Sequence, residues 1–158
     1  MTQTYQVPVS VRAARPQVLQ NMDLLTLLGF RMPERWQDIP FLFFKHDVSL
    51  SLRIGLCLDS SGSDRSYPAY HFLTLAQLIA KKWSGVEIVL LGTKRVADRG
   101  QFINQKLDGQ GILVKNLVAC TNVSDLVVEM QRLSLIVVGN TGPAHLAAAM
   151  NLPQVTLF

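Results

Sequence analysis

Long apolar runs are missing from this 158-residue chain, although apolar residues make up 49% of it. None reaches the ~18 residues of a membrane-spanning helix. The first residues, Met1-Thr2-Gln3-Thr4-Tyr5-Gln6, have neither a basic n-region nor an apolar h-region. They do not read as a secretory signal, and the expected compartment is the cytoplasm. Cysteine is scarce. Cys57 and Cys120 are the only two, and both fall at predicted strand positions, which fits buried reduced thiols better than a disulfide scaffold. His46, His71 and His145 share no ligand spacing with them, so neither a metal site nor another cofactor is expected. Charge is thin and mildly basic, with a net +4 and a pI near 9.3. The cations are scattered, with no aromatic interleaving, so nucleic acid is not an expected partner. A phosphorylated ligand or the acidic surface of an inner membrane suits this balance at least as well. Gly109-Gln110-Gly111 precedes a strand and lacks the third glycine of a dinucleotide fingerprint, and no Walker A pattern exists.

What is present is alternation. Leu52–Leu58 reads as a strand, followed by a polar loop from Asp59 to Tyr67. Pro68 to Trp83 reads as a helix with Phe72, Leu75, Ala76 and Ile79 on one face. Val86–Leu91 is a strand ended by Gly92, Arg95 to Leu107 a more polar helix, and Ile112–Val118 a strand. Asn122, with Asp125 three residues on, caps a helix that runs to about Arg132. Leu133–Gly139 and Gln154–Phe158 are further strands around a helix that Pro143 opens and Asn151 and Pro153 stop. Alternating apolar strands and helices mean α/β architecture with a doubly wound parallel sheet, Rossmann-like. The high mean hydropathy of +0.24 fits a sheet covered on both faces. Residues 1–51 differ. Asn21 to Leu28 can form a short helix closed by Gly29, but Pro33, Pro40 and Phe41-Leu42-Phe43-Phe44 keep no period, and the segment reads as a linker. Because the chain stops inside its last strand, sequence is expected to be missing beyond Phe158.

Two turns carry candidate chemistry. Gly139-Asn140-Thr141-Gly142-Pro143-Ala144-His145 joins a strand to a helix. Free amides and the dipole at such a helix start form an anion site at the sheet's carboxyl edge. The same spacing also fits a crossover helix that binds nothing. Asp59-Ser60-Ser61-Gly62-Ser63-Asp64-Arg65 follows the first core strand and should lie beside it. The hydroxyls of Ser60 and Ser61 and a two-oxygen grip by Arg65 suit a phosphate, whereas composition alone favours a solvated loop. His145, one turn into the helix, is placed to donate to a phosphate or a leaving diphosphate oxygen, although without known neighbours it reads better as a surface or core histidine. Thr121 is either a ligand contact at a strand end or a cap.

These residues resemble glycosyltransferase family 9, the ADP-heptose:lipopolysaccharide heptosyltransferase family. Asn140-Thr141-Gly142-Pro143-Ala144-His145-Leu146-Ala147-Ala148-Ala149, followed by Leu152 to Phe158, is similar to its motif Asp-Ser/Thr-Gly-x-x-His-x-Ala-Ala and the strand after it. Ser60 to Pro68 resembles the family loop of paired small residues, a lysine and an aromatic-Pro. Leu117 to Leu126, with Thr121, resembles its approach to the next helix. The resemblance covers about residues 52–158 and implies one half of a two-domain GT-B glycosyltransferase, the half that holds the nucleotide-sugar donor.

The implied roles follow position by position. Thr141, Gly142 and Pro143 shape the phosphate turn, His145 sits beside the diphosphate, and Ser60 and Ser61 offer hydroxyls. Arg65 replaces the family lysine that neutralises the leaving group, and Asn140 replaces an Asp that binds sugar hydroxyls. After Gly92, where the family often has an acidic residue for the ribose, Lys94 and Arg95 stand instead, and Asp98 comes later. The implied activity is metal-free, inverting transfer of a heptose to the lipopolysaccharide core. The lipid-linked acceptor and the catalytic base belong to an N-terminal domain expected to be missing before residue 52, with residues 1–51 as the joining segment. A non-catalytic or decayed nucleotide-sugar-binding fragment is the alternative, and an unrelated nucleotide-binding domain a third.

Overall fold

The computed structural model describes residues 51–59 and 67–157. Five strands and four α-helices alternate: β1 (Arg53–Cys57), α1 (Ala69–Lys82), β2 (Glu87–Leu91), α2 (Ala97–Asp108), β3 (Val114–Asn116), α3 (Val123–Gln131), β4 (Leu135–Gly139), α4 (Gly142–Ala149) and β5 (Gln154–Leu157). A 3-10 turn over Lys94–Val96 leads into α2. All pairings are parallel, in the order β3-β2-β1-β4-β5. The chain winds outward from β1 to β3, crosses back to β4 and continues to β5. Its direction therefore reverses between β1 and β4, where parallel α/β sheets open a crevice. The expected helix over Asn21–Leu28 lies outside the described residues, as do residues 1–50 generally.

Strand periodicity builds two cores. Ile54, Leu56, Ile88 and Leu90 pack with Phe72, Ala76, Ile79, Ile103 and Leu107, from α1 and α2. Cys57, Val89, Leu91, Ile136 and Val138 pack with Met130, Ala144, Ala147 and Met150, on the side of α3 and α4. Neighbouring residues along a strand serve opposite faces, and both faces are covered, so the strands read as unbroken apolar runs. Each fully buried side chain of the size of Leu56 contributes roughly 1.5–3 kcal/mol of transfer free energy. On α1 the expected apolar face is present, with Phe72, Ala76 and Ile79 buried and Leu75 packed at its margin.

Helix ends follow from local chemistry. Asn151 adopts φ 54°, which Asn tolerates better than most residues. Leu152 N–H then bonds to Ala147 O at 2.9 Å and Asn151 N–H to Ala148 O at 3.1 Å, the double closure of a Schellman motif. Gly111, at φ 70°, ends α2 the same way, with Ile112 N–H on Leu107 O at 3.2 Å. The glycine pair before β3 is thus a helix stop.

One expectation needs correction. β3 is shorter than Ile112–Val118, because the chain is still leaving the α2 stop at Ile112 and turns again at Ala119, whose φ is 63°. Val118 N–H bonds to the Asn116 side chain at 3.1 Å rather than to a strand. Cys120 therefore lies past the strand and is exposed, while Cys57 is buried as expected.

The amino-terminal edge of the sheet holds a charge cluster. Arg53, 8% exposed, donates through Nε to Glu87 and lies 3.6 Å from Glu129. Lys115 Nζ bonds both Glu129 oxygens at 3.0 Å. Burial works against the Glu129 charge, but the Lys115 hydrogen bond and the charges of Lys115, Arg53 and Arg132 outweigh it and hold the carboxyl below its usual range.

Candidate functional site

A cleft of about 380 Å³ opens at the carboxyl edge of the sheet. Its floor is Cys57 and Leu91, at the ends of β1 and β2. Its walls are Asp59, the Gly92–Lys94 turn, Ala119, Thr121, the first turn of α3 and Pro143 at the start of α4. It lies on the α3/α4 side of the sheet, since Cys57 and Leu91 belong to that core. Burial pushes the Cys57 thiol up to about 11, so the floor is uncharged at neutral pH.

The structure brings Thr121 and Pro143 into this cleft. Thr141 and Gly142 stand next to Pro143 on the same turn. Asn140 and His145 are exposed and are not among the lining residues. Ser60, Ser61 and Arg65 lie outside the described residues.

The start of α4 is sparer in donors than the sequence implies. Thr141 holds the N-cap position, but its hydroxyl donates back to Gly139 O at 3.3 Å and caps nothing. Ala144 and His145 N–H both bond to Thr141 O, at 3.0 and 3.4 Å, and Pro143 has no N–H. Among the described residues, the Thr141 and Gly142 amides are those the turn does not use itself. No acidic residue sits in the first turn, so the positive end of the helix dipole is left unneutralised there.

Thr93 escaped the sequence reading, which named Asp59 only as the start of a candidate loop and Lys94 only as a departure from the family pattern. Thr93 N–H donates to the Asp59 carboxylate, Thr93 Oγ1 donates to Asp59 Oδ1 at 3.2 Å, and Arg95 stands 3.9 Å away. The available signal was positional: each is among the first residues after a strand, where a parallel sheet places its ligand contacts. Gly92 is required by close approach, since a Cβ there would meet Val96 Cγ2 at 2.6 Å. Among the described residues no group of three His, Cys, Asp or Glu side chains could hold a metal, and no helix is long and apolar enough to cross a membrane.

A doubly wound parallel sheet with its cleft at the reversal point, bordered by two helix starts, defines a Rossmann-like α/β domain. Residues 2–158 match the family model of glycosyltransferase family 9 (heptosyltransferase), and the chain belongs to that family. Lipopolysaccharide heptosyltransferase 2 of Salmonella typhimurium is 30% identical over 117 residues, 71% of this chain and 33% of its own length. Lipooligosaccharide heptosyltransferase 2 of Haemophilus influenzae is 28% identical over 107 residues, 66% of this chain and 30% of its own. The solved structure of ADP-heptose LPS heptosyltransferase II from E. coli superposes with a TM-score of 0.60 at 28% identity, over 67% of this chain and 32% of that one. A family 9 glycosyltransferase from Veillonella parvula shares the fold, with a TM-score of 0.59 at 19% identity over 67% of this chain and 29% of its own. The chain spans about a third of the length of the curated relatives it matches. Its fold is that of one α/β half of a GT-B glycosyltransferase.

Proposed function

We propose that residues 52–158 form the donor-binding domain of a heptosyltransferase. They hold a nucleotide diphosphate sugar, ADP-heptose, for inverting transfer to the lipopolysaccharide core. The observation that carries this reading is the cleft at the sheet reversal, open to an uncapped, acid-free helix start, in a chain of this family. The acceptor hydroxyl oxygen attacks the anomeric carbon as the bond to the diphosphate breaks on the opposite face. Negative charge then grows on the leaving diphosphate. The Gly142 amide, the α4 dipole, Arg65 and His145 are assigned to stabilise it, with no metal. Ser60, Ser61, Thr121, Asn140, Thr141 and Pro143 are assigned to contact or shape the donor. The lipid-linked acceptor and the base are assigned to an N-terminal domain joined through residues 1–51. The enzyme would then work in the cytoplasm, peripheral to the inner membrane that carries its acceptor.

A second reading, a nucleotide-sugar-binding module without turnover, is favoured by one observation: Asn140 stands where the motif it resembles has Asp. Calorimetry with ADP and ADP-heptose, with and without EDTA, tests the donor reading. Binding that survives EDTA is expected, and no binding at millimolar ligand overturns it. Arg65→Ala should weaken ADP by ~1.5–3 kcal/mol, the scale of a charge-assisted hydrogen bond. Asn140→Asp should tighten ADP-heptose relative to ADP, because a carboxylate accepts stronger hydrogen bonds from sugar hydroxyls than an amide does.

A further inference from the structure

Among the described residues the cleft is lined by one carboxylate, Asp59, and one lysine, Lys94. Left to itself such a pair would neutralise its own site. The structure prevents this by occupying Asp59 elsewhere. Its side chain is 12% exposed. One oxygen accepts from Thr93 N–H and the other from the Thr93 hydroxyl, and Arg95 supplies a countercharge from the solvent side. Thr93 is the hub of the turn. Its Oγ1 accepts from Arg95 N–H at 3.4 Å and its carbonyl from Val96 N–H at 3.1 Å, so Asp59 fixes the 3-10 turn that carries Lys94. Within the turn Gly92 lies close against Val96, where a Cβ would meet Val96 Cγ2 at 2.6 Å. Among the described residues no carboxylate pairs with Lys94.

We propose that Asp59 is a positioning residue: by saturating itself on Thr93 and Arg95 it holds the Gly92–Lys94 turn as a cleft wall and keeps the Lys94 ammonium available to the ligand. This rests on the donor reading above. β2 and β4 flank β1 in the sheet, so Lys94 and the α4 start are separated by about two strand spacings, ~10 Å. A ligand whose diphosphate sits at the α4 start meets Lys94 with its nucleoside end. An ammonium offers donors and no acceptor, so Lys94 reads acceptor atoms there: ribose oxygens or ring nitrogens.

The test is a double-mutant cycle on the full chain, read as ADP affinity by calorimetry with a thermal melt of every variant. Lys94→Ala and Asp59→Ala should each weaken ADP about tenfold, the scale of one charge-assisted hydrogen bond. Because Asp59 acts through the turn, Asp59→Ala in the Lys94→Ala background should cost no more than about twofold further. Asp59→Asn, which keeps an acceptor for Thr93 N–H, should recover part of the affinity and covers the case in which Asp59→Ala does not fold. Additive losses in the cycle, or ADP affinity unchanged in Asp59→Asn and Lys94→Ala, overturn the proposal while leaving the donor reading intact. Failure of the unmodified chain to bind ADP overturns both.

Discussion

α3 and α4 begin at the same edge of the sheet and border the same cleft, yet their first turns are built in opposite ways. At α3 the Asn122 side chain accepts from Asp125 N–H at 2.9 Å, and the Asp125 carboxylate accepts from Asn122 N–H at 3.4 Å. That capping box satisfies the Asn122 and Asp125 amides, and Asp125 neutralises the dipole. At α4 the N-cap hydroxyl turns away to Gly139 O, and no acid follows. A helix start built to hold itself together is finished chemically. One left uncapped forgoes about 1 kcal/mol of stability and keeps its positive end for something else. This contrast is why the proposed diphosphate site is placed at α4, with α3 as wall.

Closing α4 the way α3 is closed gives the largest contrast. Gly142→Asp puts a carboxylate in the first turn, where a Cβ meets no atom within 4 Å. ADP affinity should fall by about ten- to hundredfold through repulsion of the diphosphate. Stability should hold or rise by ~0.3–1 kcal/mol from the dipole. Calorimetry beside a thermal melt reads the two opposed signs, and parallel losses would break the contrast. Opening α3 is the mirror experiment. Asn122→Ala should cost about 1 kcal/mol in urea unfolding and change ADP affinity by less than about twofold. A larger affinity loss would make α3 a ligand contact.

The smallest effect concerns the far end of α3. Glu129 is held below its usual carboxyl range in the folded chain. As pH falls through the carboxylate range, the unfolded chain takes up this proton first, so stability is present at neutral pH and lost toward acid. Glu129→Gln should lower the urea midpoint at neutral pH and flatten its acid decline. ADP affinity should not change, since the cluster lies at the opposite edge from the cleft.

The strands and helices were legible because burial on two faces leaves a strong mark: apolar runs for the sheet and the Phe72, Ala76, Ile79 stripe for α1. The α3 cap was legible because a capping box is local, written in Asn122 and Asp125 three residues apart. β3 was overdrawn because the backbone turn at Ala119 leaves no trace in an alanine. At the site, the α4 turn could be read from Gly142 and Pro143. The Asp59–Thr93 contact could not, because it joins residues 34 apart that only the pairing of β1 with β2 brings together. Nor does the sequence say that the Ala144 and His145 amides turn back onto the Thr141 carbonyl.

The two thiols are unequal in a way an experimenter can exploit. Cys57 is sealed in the cleft floor, and its raised pKa keeps it protonated and slow toward electrophiles. Cys120 is exposed, between Ala119 and Thr121 of the cleft wall. A maleimide dye added to the native chain should therefore attach at one position and without prior mutagenesis. It would sit at the rim of the cleft, so its emission on addition of ADP is a direct readout of the proposed donor site.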